Sequence, residues 1–521
     1  LTRLWGWNST RAYAALVAVT ILYGLALTRL SLLNAFLLVF FSLVGVGALI
    51  EPLVGLLATL FLGILWAWLR AELPAVPALI AMPVLAWTLG AWLMRGAARR
   101  EIRLYSSPAL LPLLLFVGAA AWSLWDAVEL PVYGLPELIK WLQILALFWL
   151  VVDHVDARRL PWLLAGLLAI GLFQALLGLW QFGLRGSGPR HLAILGNRFF
   201  RAYGTFEQPN PYAGYLGLVF PLGVGILAVW GTGLVRKWRS GRGAGGSVAL
   251  PDPRLAAVLL VATGAMGAAL VASWSRGGWL GMGAALVAVA AALPRRAWLG
   301  IGIVLVVLVG TLGLGAVDML PGPVAARLTD FTQYISVEDV RGVGINDANY
   351  AVIERLAHWQ VALDMWRTNF WNGVGFGDYE PAYPTYALIN WPNPLGHAHN
   401  YYLNLAAETG LLGLVAYLFL WGAVLWWTWR LTRRPDLIAW QRGLAIGLLG
   451  AWTHLSVHHL FDNLYVNNVH LFVGVLLGVL AVLASGRGTA PVRRPANTPV
   501  HSHPCADPTR PPMPLSPGLS G

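Results

Sequence analysis

Cysteine is almost missing from this chain of 521 residues, and Cys505 is the only one. A disulfide within the chain is therefore excluded, as is any metal site built from thiolates. Lysine is nearly as scarce, with only Lys140 and Lys237. Charge of either sign is also low, since Asp, Glu, Lys and Arg make up 11% of residues, against about 25% in soluble domains. That deficit excludes a water-soluble globular protein. Apolar residues take the place of charge, with 58% hydrophobic residues and a mean hydropathy of +0.65. A bilayer-spanning helix needs about 20 mostly apolar residues, and Leu53–Leu69, Leu255–Trp274 and Trp298–Val317 are among the windows that fit. The net charge of +12 comes from arginines scattered over short loops, a pattern that argues against a nucleic-acid partner. The first apolar stretch leads straight into others, so no cleavable signal peptide is expected.

Fourteen apolar segments read as helices, near residues 12–28, 31–50, 53–69, 77–94, 108–125, 137–152, 160–182, 212–231, 255–274, 277–293, 298–317, 401–427, 439–458 and 469–485. The first two also fit one long or re-entrant element. The expected fold class is an all-α polytopic membrane protein with about 12–14 transmembrane helices and one large loop, 318–400, containing short helices. Alternate loops carry the basic residues: Arg95, Arg99, Arg100 and Arg103; Arg158 and Arg159; Arg236, Lys237, Arg239 and Arg242; Arg295 and Arg296; Arg430, Arg433 and Arg434. The positive-inside rule puts these loops and both termini in the cytoplasm. The large loop then faces the extracytoplasmic side, with the turn at Ser275 and the segments Phe182–Pro211 and His459–Asn468. Three regions follow: N-terminal transmembrane helices over 1–158, a second transmembrane unit over 159–485 that includes the loop, and a tail over 486–521. The tail is rich in Pro, Ser and Arg and is expected to be disordered. Gly-rich Ser240–Ser247 reads as a flexible linker.

Polar residues that recur at loop–helix boundaries of the outer side carry the chemistry. His399-Asn400 closes the large loop, and nine residues later comes Gly410-Leu-Leu-Gly413. His399 is either a helix cap or a general base, since an imidazole can accept a proton from a sugar hydroxyl near neutral pH. Arg198 and Arg201 precede Asn210-Pro211, which suits a helix cap followed by a first-turn proline. Arginines just ahead of a helix N-terminus make an anion site. Arg276, in Ser273-Trp-Ser-Arg-Gly-Gly278, either snorkels to headgroups or holds phosphate with its fork. Gly277 and Gly278 beside it are read as leaving room for a ligand. In the large loop Leu356, Trp359, Leu363 and Trp366 recur at helical spacing, as in an amphipathic helix lying on the bilayer or the bundle. Asn372-Gly-Val-Gly-Phe-Gly377 lacks the strand context of a dinucleotide site and reads as a turn that re-aims the loop. His397 and His399 are too few for a closed zinc site, and a metal centre that adds His454, His458, His459 or Asp462 is disfavoured. His458 and Asp462, four apart, are expected to satisfy each other. Glu408 either orients a neighbour or pairs with an arginine.

At these residues the chain resembles the O-antigen ligase family, the Wzy_C superfamily of bacterial envelope polysaccharide enzymes. That family's signature is His, then Asn, Ser or Gln, nine residues, then Gly-x-x-Gly, and His399 to Gly413 matches it fully. The Arg201 and Arg276 segments resemble its two arginine motifs, and the likeness runs from about Leu160 to Leu483. The resemblance implies a GT-C-like glycosyltransferase of the bacterial inner membrane, multi-pass, metal-independent and without cofactor, with its active site on the extracytoplasmic face. It implies a glycan donor on undecaprenyl diphosphate and a lipid, glycan or protein acceptor. Arg201 and Arg276, assisted by Arg198, would hold the diphosphate, and His399 would deprotonate the acceptor hydroxyl for inverting attack. Asn400, His397, Gly277 and Gly278 would support them. A polysaccharide polymerase and a protein O-oligosaccharyltransferase share the same motifs, and a bicarbonate or other anion transporter is the alternative of another class.

Overall fold

Inside a bilayer only a helix or a closed barrel satisfies every backbone N–H and C=O, and helices occupy all fourteen apolar segments. The computed structural model describes residues 9–73, 76, 78–100, 107–239, 252–313, 339–346 and 349–486. The Gly-rich stretch at 240–247, loop residues 318–338 and tail residues 487–521 fall outside the described set.

The chain begins with α1 (Ser9–Arg29), α2 (Leu32–Ile50), α3 (Pro52–Ile64), α4 (Trp66–Glu72), α5 (Ala81–Arg99), α6 (Leu110–Ser123), α7 (Leu135–His154) and α8 (Leu160–Leu179). A polar excursion follows, in which β1 (Ala193–Ile194) pairs antiparallel with β2 (Phe199–Phe200). Then come α9 (Pro209–Arg239), α10 (Pro253–Ala272), α11 (Arg276–Ala292) and α12 (Ala297–Gly313). The large loop contains α13 (Tyr350–Thr368) and α14 (Tyr379–Tyr386), and the chain closes with α15 (Tyr401–Leu431), α16 (Ala439–His458) and α17 (Val469–Ala484).

This is an all-α polytopic membrane protein. Among the described residues six helices are long and apolar enough to cross a membrane, and a seventh span results if α3 and α4, bent by 54°, count as one. Other apolar helices are shorter, or carry polar residues that protein neighbours cover. On α16, Gln441, Arg442, His454 and His458 are all buried, as polar groups in a bundle interior must be. α16 packs against α9 through Gly443 and Gly447, where an added Cβ would meet the α9 backbone at 2.5 and 2.6 Å. Small residues four apart let helices approach this closely where no hydrophobic effect drives them together. By contrast, α2 exposes Phe36, Val39, Leu43, Val46 and Ile50, side chains suited to lipid.

The loop has an apolar core of its own, built by Ile353, Ala357, Val361 and Met365 of α13 with Tyr379, Tyr383, Leu388 and Trp391. The face of α13 that packs is therefore not the Leu356, Trp359, Leu363 and Trp366 stripe expected from the sequence, whose members are only half-buried. A break in α15 locks this loop to the bundle. Gly410 takes φ 63° and ψ −162° inside the helix, and a Cβ there would lie 2.2 Å from the Trp371 carbonyl. Across the break, Leu411 N–H donates to the Phe370 carbonyl at 2.8 Å, Val374 N–H to Ala407 at 2.9 Å and Gly375 N–H to Glu408 at 3.0 Å. The Gly-Val-Gly-Phe-Gly stretch is thus a turn that satisfies carbonyls released by the break.

Candidate functional site

Arg201 is fixed by the chain on both sides of it. Its backbone N–H donates to Leu192, and Ala202 N–H donates to Ala272 at the end of α10, both at 2.9 Å. Behind them, Gln181 accepts from Gly204 N–H at 2.7 Å and Gln174 from Thr205 N–H at 3.1 Å. The Arg201 guanidinium donates to the Ser273 carbonyl at 3.0 Å and to Asn210 Oδ1 at 3.3 Å. Arg276 opens α11, whose cap is Ser275, accepting from Gly278 N–H at 3.2 Å. A helix N-terminus carries partial positive charge, so the arginine and the helix end add to one field. Arg201 and Arg276 line one cavity with Asn210, Ser275, Gly277, Arg355, His458 and Phe461.

Asn210 is not the helix cap that its sequence position suggested. The helix already begins at Pro209, and the Asn210 amide donates to Asp462 Oδ2 at 2.7 Å. Asp462 is buried and turned toward the loop histidines rather than His458, the partner expected from its spacing. Its Oδ1 lies 3.4 Å from His397 Nε2 and 3.8 Å from His399 Nδ1, while His458 Nδ1 sits 3.3 Å from His454 Nε2. Burial pushes the Asp462 carboxyl up, but the contact with His399 and the charges of His397 and Arg355 outweigh it and hold the group well below the usual carboxylate range. A polar chain therefore runs by hydrogen bonds from Arg201 through Asn210 to Asp462, and His399 Nδ1 lies 3.8 Å beyond it.

His399 takes φ 52°, a left-handed conformation that His tolerates better than most residues. The cap of α15 is Asn400, whose side chain accepts from Tyr402 and Leu403 N–H at 3.0 and 3.2 Å. Capping is thus assigned to its neighbour, which leaves the His399 ring for other work. His399 N–H donates to His397 Nδ1 at 3.0 Å. An accepting Nδ1 places the proton of neutral His397 on Nε2, the atom that faces Asp462. Burial lowers the His397 pKa to about 4, with Asp462 opposing and His399, Arg355 and Lys140 assisting, so the ring is neutral near pH 7. His397, His399 and Asp462 do bring ligand atoms within 4.8 Å of one another.

The remaining sequence candidates are placed as follows. Arg198 is exposed, stacks on Phe199 at 5.8 Å and does not line the cavity. The glycines beside Arg276 admit protein neighbours: a Cβ on Gly277 would meet the His458 ring at 2.5 Å, and one on Gly278 would meet Ala213 at 2.7 Å. Glu408 is buried and accepts from Tyr379 N–H at 3.3 Å. Two residues of α13 had no assigned part. Arg355 lines the cavity, and buried His358 sits edge-on to His399 with ring centroids 5.8 Å apart. Their spacing of three on a helix places them on one face, a signal the sequence does carry.

Residues 261–418 match the family model described as Wzy_C, O-Antigen ligase. The matched span contains Arg276, Arg355, His397, His399 and the break at Gly410, whereas Arg201 and Asp462 lie on either side of it. No curated protein matches the chain.

Proposed function

Taking the O-antigen ligase match as premise, we propose that this membrane protein transfers a glycan from undecaprenyl diphosphate to an acceptor hydroxyl. The acceptor is a lipid, a glycan or a protein, and the reaction inverts the anomeric centre without a metal. The active site is on the extracytoplasmic side of the bacterial inner membrane, the side opposite the basic loops. His399 Nε2 takes the proton of the acceptor hydroxyl, and that oxygen attacks the anomeric carbon. The bond from this carbon to the diphosphate oxygen breaks, and the electron pair leaves with the diphosphate. Arg201 and Arg276 hold that group and stabilise its growing charge. Asp462 faces His399 Nδ1, keeps the proton on that nitrogen and leaves Nε2 free to act as base. At 3.8 Å this contact is longer than a hydrogen bond, as is common for catalytic groups before substrate arrives.

The observation that carries this reading is the polar chain from Arg201 to Asp462, beside His399, which ties an anion-binding cavity to a base. The test is transfer by the purified protein from an undecaprenyl-diphosphate glycan, with candidate acceptors offered separately. His399→Ala is expected to lower the rate by about 10²-fold or more while the protein remains inserted and monodisperse. Retained transfer in that variant, or anion flux in proteoliposomes independent of any lipid-linked glycan, would overturn the proposal.

A further inference from the structure

The polar excursion between α8 and α9 carries basic side chains that the glycosyl-transfer reading leaves without a part. From Phe182 to Phe206 the chain holds Arg185, Arg190, His191, Arg198 and Arg201, and no acid. Arg201 lines the cavity, whereas Arg185, Arg190, His191 and Arg198 are exposed. Among the described residues none of these three exposed arginines lies within ion-pair distance of a carboxylate. They stand on the loop side of the bundle, where the positive-inside bias disfavours arginine. Their height relative to a bilayer follows from α8. Phe173, Leu176, Trp180 and Leu184 recur at helical spacing along the apolar stretch Leu160–Leu184, and they are 41, 56, 44 and 80% exposed. An exposed apolar stripe on a spanning helix faces hydrocarbon. Arg185 is the next residue, so it stands where hydrocarbon gives way to headgroups. Its guanidinium stacks on Trp180 at 5.4 Å and donates to the Tyr203 hydroxyl at 3.1 Å, which leaves other N–H donors of the fork for a ligand. Arg198 reaches the same place across the stacked rings of Phe182 and Phe199, whose centroids are 5.0 Å apart, and its guanidinium lies 5.8 Å from the Phe199 ring. Arginine beside exposed leucine and tryptophan at an apolar–polar border suits a phosphate headgroup, with the apolar neighbours entering the acyl layer. A soluble acidic partner would meet the arginines and leave the stripe uncovered.

We propose that Arg185 and Arg198 form a binding site for the phosphate headgroup of an anionic lipid in the leaflet on the loop side. Bound there, the lipid holds the excursion against the bilayer surface. The Arg201 segment is held with it, because Gln181 at the end of α8 accepts from Tyr203 and Gly204 N–H at 3.2 and 2.7 Å. This site stands independently of the glycosyl-transfer reading.

The test uses the full-length protein in nonionic detergent. Cys505→Ser removes the native thiol, and Ser187→Cys, at an exposed position beside the site, carries an environment-sensitive fluorophore. Phosphatidylglycerol is titrated in mixed micelles, with phosphatidylcholine as the zwitterionic control and glycerol phosphate as the free anion. In Arg185→Gln/Arg198→Gln the half-saturating phosphatidylglycerol is expected to rise by about 10-fold or more. In the parent protein it should rise with salt, as exposed phosphate contacts do. Arg236→Gln/Arg239→Gln, at the other end of the bundle, should stay within about twofold, which separates this site from the basic loops. Should the double variant fail to fold, as judged by thermal unfolding and elution, Arg198→Gln alone carries the test with an expected loss of a few-fold. A folded variant that binds within about twofold of the parent would overturn the inference. So would an equal response to phosphatidylcholine, which marks an apolar surface without headgroup selectivity. An equal response to glycerol phosphate, or a stronger one to a soluble acidic polysaccharide, would also overturn it, because the ligand would then not be a lipid.

Discussion

The two ends of the helix bundle treat charge in opposite ways. At the end away from the loop, Glu51 caps α3 and contacts His154 and Arg159. There, too, Arg159 lies 3.4 Å from Asp156, and Arg434 pairs with Asp436. Arg442, buried at the start of α16, donates to the Leu293 and Thr432 carbonyls at 2.8 and 2.9 Å, which closes the ends of two helices. Every cation named there meets a carboxylate or a helix-terminal carbonyl, as helix ends require. At the loop end, three arginines line a cavity whose lining includes no carboxylate; Arg201 donates to the Ser273 carbonyl, and Asp462 faces histidines. Charge that serves folding is matched within the protein. Three guanidinium groups lining one cavity that no acid lines suit an anionic ligand.

The largest effect that would break or sharpen this contrast is expected at Asp462. Asp462→Asn keeps the shape but removes the charge that orients His399, and kcat should fall by about 10²-fold or more. The donor KM should stay within about twofold, because the base acts on the acceptor. At the other end, Asp436→Asn should leave the rate unchanged. An equal loss in both variants would mean that these acids act through stability alone, and the contrast would be lost. A smaller effect is expected for Arg276→Lys, about 10-fold in kcat/KM, because an ammonium cannot reproduce the guanidinium fork. Arg434→Lys, measured in the same transfer assay, should be neutral.

Much of this contrast was legible in the sequence, because it rests on periodicity and on the sign of loop charges. Apolar length sets the helices, and basic loops separate the two ends. His399, Arg201 and Arg276 stood out because polar residues at the borders of apolar runs need a reason. What the sequence did not give depends on contacts between segments far apart in the chain. Asn210 bonds to Asp462 across 252 positions, and no local pattern distinguishes that role from a helix cap. The i, i+4 spacing of His458 and Asp462 pointed to a pair, yet Asp462 lies beyond the helix end, where the chain turns it toward the loop. On α13 the bulky Leu and Trp stripe has the plainer helical period, yet the smaller residues Ile353, Ala357, Val361 and Met365 do the packing. The break at Gly410 lay inside a recognised motif, but its cause, the approach of the Trp371 carbonyl, belongs to the loop.

The smallest effect expected is on stability, and it tests whether the loop end favours neutral histidines. Burial lowers His397 to about 4, and burial followed by the charges of His399 and His397 lowers His358 to about 3. Unfolded, both rings titrate near 6.5. Below that value the unfolded chain binds protons that the folded site refuses, so stability falls with pH. The loss begins as pH drops through about 6.5 and is complete only below the folded values of about 4 and about 3. Thermal unfolding in detergent should therefore shift down by a few degrees between pH 7 and pH 4.5. His358→Gln should flatten that shift, since the glutamine does not titrate. If His358→Gln retains the full acid sensitivity, the loss does not arise at His358, and the same test on His397→Gln decides whether the loop end contributes at all.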